Sequence, residues 1–257
     1  MDIATSKQVY LVGAGPGDPE LLTLKAQRLI HRADDLVVDA LVPQTIYAGC
    51  KARLIYVGKR AGRPHISQEK IGQILVELAQ AGRIVVRLKG GDPGLFGRLA
   101  EEIEVLQQAH INFEVVPGVS SAFAAAACAA IPLTARSVAD RVTFITGHRQ
   151  VDAEPVFNLP VYHAEQTLVV FMATNHLTEI VTQALARRYP EDLPALVISR
   201  ATQTGEKQIK APLCNIHLKC IKQGIESPAT LILGHVAALA QDIACEYDER
   251  LTLQLHC

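Results

Sequence analysis

Tryptophan is absent, and aromatic residues make up only 5% of the 257 positions. That leaves little material for the stacking platforms that grip single-stranded nucleic acid. Charge of either sign is not in excess: 25 Lys and Arg stand against 26 Asp and Glu, a net charge of −1. A chain so balanced has no global basic field to recruit a polyanion, so any anionic ligand has to be met by a local patch. Cysteine is sparse and badly spaced for metals. Cys50, Cys128, Cys214, Cys220, Cys245 and Cys257 include no Cys-x-x-Cys pair, which argues against a zinc knuckle or a redox motif. Six cysteines in a chain this long do not make a disulfide scaffold either, so free thiols in a reducing cytoplasm are expected. Residues 1–7 have no apolar signal core. The longest run of low polarity, residues 120–133, is Ala-rich and interrupted by Pro132. It is shorter than the roughly 20 residues that span a bilayer. Neither a Walker loop nor a Gly-x-Ser-x-Gly elbow occurs. His148, His163 and His176 are scattered without ligand spacing, so no metal site is expected.

What the chain has is alternation. Apolar residues are 49% and charged residues 20% of the whole, values typical of a globular protein with a proper core. Short buried runs at residues 36–38, 53–57, 84–88 and 113–116 read as strands. The stripe Ile71, Ile74, Leu75, Leu78 and Ala79, closed by Gly82, reads as a helix, and so does Leu99, Ile103, Leu106 and Ala109. Residues 120–130 read as a helix of small residues packed closely against a neighbour. Such βα alternation predicts a mainly parallel sheet with helices on both faces. After an aperiodic stretch at residues 134–140, strands are expected at 142–146, 168–172, 195–199 and 229–233. Residues 207–210 alternate as an antiparallel strand does, and a helix is expected from Cys214 to Gln223. The whole is read as an α/β fold of two α/β domains, residues 1–136 and 137–257. Residues 246–257 fit neither pattern.

Open α/β sheets bind ligands beyond the carboxyl ends of their strands. At those ends the sequence places the turn at residues 13–18, Asp39, Lys59, the loop at residues 89–93 and residues 117–121. The first of these stands out. Gly13, Gly15 and Gly17 permit backbone angles and approaches that a Cβ would block. Asp18 and Pro19 suit the start of a helix. A dinucleotide turn needs a third glycine three residues after the second, where this chain has Asp18. The other reading of the turn is a tight βα connection with no ligand. Asp39 and Lys59, each following a buried run, are either surface charges or an acid/base pair in reach of one pocket. Lys59, Arg60, Arg63 and His65 cluster cationic groups, either as a wet face or as a patch for a polyanion. In the loop at residues 89–93, Gly90 and Gly91 let a ligand approach the backbone, and Asp92 offers acceptors to a ribose or an amine or holds a cation; the other reading is one more βα turn.

Six segments, in order, carry a resemblance: residues 12–26, 39–42, 57–62, 86–93, 114–122 and 131–134. Together they resemble the tetrapyrrole methylases, and most closely the members that act on uroporphyrinogen III. The likeness runs from Gln8 to Ala238 and is dense to Gly147. It implies S-adenosylmethionine as methyl donor, bound in a cleft between two α/β domains, and a homodimer. Donor contacts in the family fall on Pro16, Gly90, Gly91, Asp92, Leu95, Ser120, Ser121, Met172 and Ala201. Its proton acceptor and donor fall on Asp39 and Lys59, and a further catalytic pair falls on Arg98 and Glu101. The implied reaction is two successive methyl transfers, to ring carbons 2 and 7, giving precorrin-2. Lys59, Arg60, Arg63, Arg87 and Lys89 are then natural partners for the eight carboxylates of the macrocycle.

The chain departs from the family pattern at Gly72, Gly94, Leu99, Ala100 and Ala201. These changes are expected to touch the pocket, and so substrate choice and rate. The alternatives implied are a precorrin methylase using the same donor, or a tetrapyrrole-binding homologue without turnover. The fused dehydrogenase/chelatase module of some relatives is not recognisable here, so those steps are expected on other chains.

Overall fold

The computed structural model describes residues 8–58, 66–147 and 157–241. The chain divides between Ser120 and Ser121 into two compact units.

In the first unit a five-stranded sheet is built from β1 (Gln8–Gly13), β2 (Asp35–Val38), β3 (Arg53–Tyr56), β4 (Ile84–Lys89) and β5 (Asn112–Val116). Their order is β3-β2-β4-β1-β5, and every pairing is parallel. Central strands covered on both faces need side chains that are apolar on both sides. That is why the runs at Val9, Leu11 and Val12 and at Val85, Val86 and Leu88 are continuous rather than alternating. One face packs on α1 (Leu24–Arg32) through Ala26 and Ile30, against Val12, Leu36, Val86 and Leu88. The other packs on α2 (Gln68–Gln80) and α3 (Leu99–Gln108) through Ile71, Leu75 and Leu106, against Val9, Leu11, Val37 and Val85.

The helices begin where the caps stand. Thr23 Oγ1 accepts from the Ala26 amide at 3.1 Å, and Ser67 Oγ accepts from the Lys70 amide at 3.2 Å. Each satisfies a donor that the first turn leaves unpaired. α2 stops at Gly82, whose φ of 75° closes the last turn in the left-handed region. Gly72 is a packing residue: a Cβ there would stand 2.9 Å from a Val105 methyl of α3. That departure from the family pattern serves helix–helix contact, contrary to the expectation that it shapes a pocket.

The second unit opens with α4 (Ser121–Cys128), whose Ala122, Ala124, Ala125 and Ala126 are buried. Its sheet contains β6 (Arg141–Thr146), β7 (Gln166–Phe171), β8 (Pro194–Ser199), β9 (Lys207–Pro212) and β10 (Ala229–Leu233), in the order β6-β7-β10-β8-β9. Only β6 and β7 pair in parallel; the other pairings are antiparallel, including β9, whose alternation had announced it. α5 (Leu177–Ala186) and α6 (Leu213–Lys222) cover the sheet through Ile180, Val181, Leu213, Ile216 and Cys220. The stretch at residues 134–140 is a tight turn closed by a bridge between Ala135 and Ala139. The N-terminal segment at residues 1–7, His148 and residues 246–257 lie outside the described residues.

Cys220 is buried, and burial pushes its thiol up from 9.0 to about 11. At pH 8 its thiolate fraction is about 100-fold below that of an ordinary thiol. Cys50, Cys128 and Cys214 are half-buried and are expected to take up N-ethylmaleimide before Cys220, which is labelled only in denaturant. Peptide mass mapping reads this order, and early labelling of Cys220 would contradict it. Because the folded pKa is raised, the neutral thiol stabilises the fold fully below pH 9. That contribution is lost as pH climbs from 9 towards 11.

Candidate functional site

The strand order of the first sheet reverses between β4 and β1: β1 leads by α1 to β2 on one side, and β4 leads by α3 to β5 on the other. This is the switch point at which α/β sheets open a crevice. The loops that leave the two strands are joined there. The Ala14 amide donates to the Lys89 carbonyl at 2.8 Å, and Gly15 and Gly91 exchange amide-to-carbonyl bonds of 3.2 and 2.7 Å. The loop after β5 closes on both. A Cβ on Gly13 would lie 2.6 Å from the Gly118 nitrogen and 2.7 Å from the Gly91 oxygen, and one on Gly118 would lie 2.5 Å from that same oxygen. Three backbones thus pass closer than any side chain allows. This is the physical need behind Gly13.

Asp92 clasps the arrangement. Its Oδ1 accepts from the Gly94 amide at 2.8 Å, and its Oδ2 accepts from the Gly118 amide at 3.0 Å. Asp92→Ala strips an acceptor from both amides, each loss costing about 1–3 kcal/mol where water does not replace it. With the donor contact that the resemblance implies for Asp92, calorimetric titration with S-adenosylhomocysteine is expected to show an affinity about 10-fold weaker or worse, and unchanged affinity would place the donor elsewhere.

Asp18 does not leave its turn open to a phosphate. Its carboxylate Oδ1 accepts from the Glu20 amide at 2.8 Å and caps the short 3-10 helix Pro19–Leu21. An anion there repels a pyrophosphate, so the dinucleotide reading fails on structure as well as spacing. Pro16 beside it is buried, whereas Gly90 is exposed, and Gly91, Asp92 and Leu95 are half-buried.

Below this edge lies a buried charge network. Arg87 and Lys89 alternate on β4, so both point to the α3 face. They are 1% and 3% exposed and meet Glu102, itself 1% exposed. Arg87 Nε donates to Glu102 Oε1 at 2.9 Å, and Lys89 Nζ donates to Glu102 Oε2 at 2.8 Å. An Arg87 terminal nitrogen also reaches Asp39 Oδ2 at 3.0 Å, at the carboxyl end of β2. Burial works against charge on Arg87, but Asp39 and Glu102 outweigh it and hold its pKa above the ordinary value. On Lys89 burial prevails over Glu102, and its pKa falls.

This corrects one expectation. Arg87 and Lys89 do not face solvent as partners for a polycarboxylate; their charges are taken up by Glu102 and Asp39. Lys59, Arg60, Arg63 and His65, the other expected cations, lie outside the described residues. The sequence carries a signal for Glu102 as well. It sits on the apolar stripe of α3 with Leu99 and Leu106, and two cations alternating on a buried strand require an anion opposite.

Arg98 and Glu101 form a bidentate pair of 2.8 and 2.7 Å at the start of α3, with both side chains about half exposed. Arg98 holds a left-handed φ of 55°, as does Phe96 two residues before it. Gly97 between them admits no Cβ, which would lie 2.5 Å from the Pro93 carbonyl oxygen. Leu99 packs on the α2–α3 core, and Ala100 faces solvent. Ser120 is buried at the end of the first unit, and Ser121 starts α4.

In the second unit, Met172 follows β7 with a φ of 55° and is 43% exposed. Phe123, Phe144 and Phe171 form an aromatic row, with centroids 6.1 and 6.0 Å apart. Ala201, after β8, is buried between Arg200 and Thr202, both at positive φ. Among the described residues no cluster of three His, Cys, Asp or Glu side chains is arranged to hold a metal.

Fold and loop edge together define an α/β protein whose parallel sheet gathers three loops at the carboxyl edge of its switch point. The chain belongs to the tetrapyrrole (corrin/porphyrin) methylases, whose family profile matches residues 8–216. It is 42% identical over 242 residues to the siroheme synthase of Acinetobacter baylyi, covering 93% of this chain and 53% of that one. It thus spans about half the length of the siroheme synthases it matches. It is also 42% identical to the uroporphyrinogen-III C-methyltransferase of Paracoccus denitrificans, over 92% of this chain and 84% of that one. The structure of uroporphyrin-III C-methyl transferase from Thermus thermophilus complexed with S-adenyl homocysteine superposes with a TM-score of 0.78. The two are 34% identical, over 93% of this chain and 98% of that one.

Proposed function

We propose that the protein is an S-adenosylmethionine-dependent uroporphyrinogen-III C-methyltransferase that methylates ring carbons 2 and 7 to give precorrin-2. The observation that carries this reading is the loop edge at the β1–β4 switch point. There Gly90 leaves the backbone open to close approach, the Asp92 carboxylate holds the loop in place, and Asp18 at the neighbouring turn disfavours a pyrophosphate. Relatives named for this activity match over nine-tenths of the chain.

The donor supplies an electrophilic methyl group on sulfur. Pro16, Gly90, Gly91, Asp92, Leu95, Ser120, Ser121, Met172 and Ala201 are assigned to holding it. Gly90 has no Cβ to obstruct close approach, and the nearest atom to one placed there is the Leu41 Cβ at 3.4 Å. Alignment of the ring carbon with the methyl provides much of the acceleration. The carbon's electron pair forms the new C–C bond as the C–S pair returns to sulfur. The macrocycle then loses a proton, keeping the C–H electron pair within its conjugated system, and Asp39 is assigned to take that proton. Lys59 is assigned as proton donor and Arg98 with Glu101 as the further catalytic pair, all by family likeness.

We assign the enzyme to the cytoplasm as a homodimer on the same likeness. Among the described residues no helix is long and apolar enough to cross a membrane. Incubation with S-adenosylmethionine and uroporphyrinogen III, read by mass spectrometry, is expected to show two added methyl groups. Recovery of unmethylated substrate alone, where a control enzyme turns over, would refute the assignment. Methylation of a precorrin instead would move the protein to a later step.

A further inference from the structure

We propose that Arg87 is a positioning residue for Asp39, locked in place by Glu102. The inference rests on the reading of Asp39 as proton acceptor.

Every nitrogen of the Arg87 guanidinium has a partner. Nε donates to Glu102 at 2.9 Å, one terminal nitrogen donates to the Val37 and Leu88 carbonyls at 3.4 and 3.2 Å, and the other holds Asp39 Oδ2 at 3.0 Å. The side chain leaves β4 in register with Leu11 on one side and Val37 on the other, two fully buried positions. A planar donor fixed on three sides cannot turn away, so it dictates the orientation of the carboxylate it grips.

Charge balance points the same way. Arg87 and Lys89 are two buried cations against one buried carboxylate, Glu102. Asp39, one-third exposed, supplies the second negative charge. The carboxylate therefore has one oxygen bound inward. Its other oxygen, Oδ1, has no partner among the described residues and is the one left to take a proton. Glu102 acts at one remove, by setting the plane of Arg87.

Arg87→Lys keeps the charge and loses the fork. Glu102→Asp keeps the charge and withdraws the anchor. Each is expected to lower kcat about 10-fold while leaving the KM for S-adenosylmethionine, and the calorimetric affinity for S-adenosylhomocysteine, within about 2-fold. Intact S-adenosylhomocysteine binding also shows that the variants are folded. In an Asp39→Asn background the same substitutions are expected to reduce kcat by less than about 2-fold further, because the group they position is gone. Losses that multiply in the double variants would overturn the inference, as would an unchanged kcat in both single variants. Full turnover by Asp39→Asn alone would overturn it too, since nothing would remain to be positioned.

If the unaltered protein methylates no tetrapyrrole, the proposed activity falls by itself, and carbon-13 carboxyl spectra decide the positioning. The Asp39 resonance, assigned by its loss in Asp39→Asn, must move in Arg87→Lys, and an unmoved resonance would overturn the inference.

Discussion

Glu102→Ala is expected to lower the unfolding free energy by about 3–5 kcal/mol, the range for breaking a buried ion pair by removing one partner. The reason is geometric. Glu102 occupies the apolar face of α3, 1% exposed, and is the shared partner of Arg87 and Lys89, which are themselves 1% and 3% exposed. Without it two cations stay in the core with Asp39 alone to offset them, and neither reaches water without parting α3 from the sheet. For a chain of this size the melting temperature falls by an amount on the order of 10 °C. Urea denaturation and calorimetry read the change directly. The internal comparison is Glu101→Ala, one residue earlier. Glu101 also pairs with an arginine, but it does so at 48% exposure. Such a surface pair contributes about 0–1 kcal/mol. Equal losses in the two variants would show that burial of the network does not govern stability.

With Asp39 as the proton acceptor proposed above, Asp39→Asn is expected to lower turnover by about 10²–10⁴-fold, the contribution of a positioned acid–base group. The amide has the shape of the carboxylate and retains an oxygen that Arg87 holds, so the site keeps its form. It loses the negative charge and the capacity to accept a proton. The KM for S-adenosylmethionine is expected to stay within about 3-fold, because an interaction made in the transition state is lost while ground-state binding persists. Steady-state methylation of uroporphyrinogen III measures both. A turnover equal to that of the unaltered protein would remove Asp39 from proton transfer. A raised KM at constant kcat would make it a binding residue.

Much of this architecture is legible in the residues. Buried apolar runs on parallel strands and the Gly82 stop are local features, and local features follow from short-range sterics and hydrogen bonding. The βα rhythm puts the turn at residues 13–18, Asp39 and the loop at residues 89–93 on one edge before any contact is known, because parallel strands end on the same side. The alternation at Lys207 and Gln208 likewise announces the antiparallel β9. A family pattern in six ordered segments then narrows the ligand.

The glycines at 13, 91 and 118 are conspicuous in sequence, but their reason is not. They are 78 and 27 residues apart (91 − 13 and 118 − 91), and only the folded sheet brings their backbones within 3 Å of a would-be Cβ. Gly72 reads as a substitution near a pocket until the packing of α2 on α3 shows Val105 against it. Arg87 and Lys89 mislead most. Under the family resemblance they are expected as cations for a polycarboxylate, yet strand alternation turns both inward to a glutamate 15 and 13 residues further on. Sequence by itself determined the strands, the helices and the edge at which chemistry is expected, since these depend on periodicity and on neighbours a few residues apart. Tertiary structure decided which charges neutralise one another inside and which carboxylate reaches the edge, because an ion pair depends on distance in space, and that distance is set by how α3 lies across the sheet.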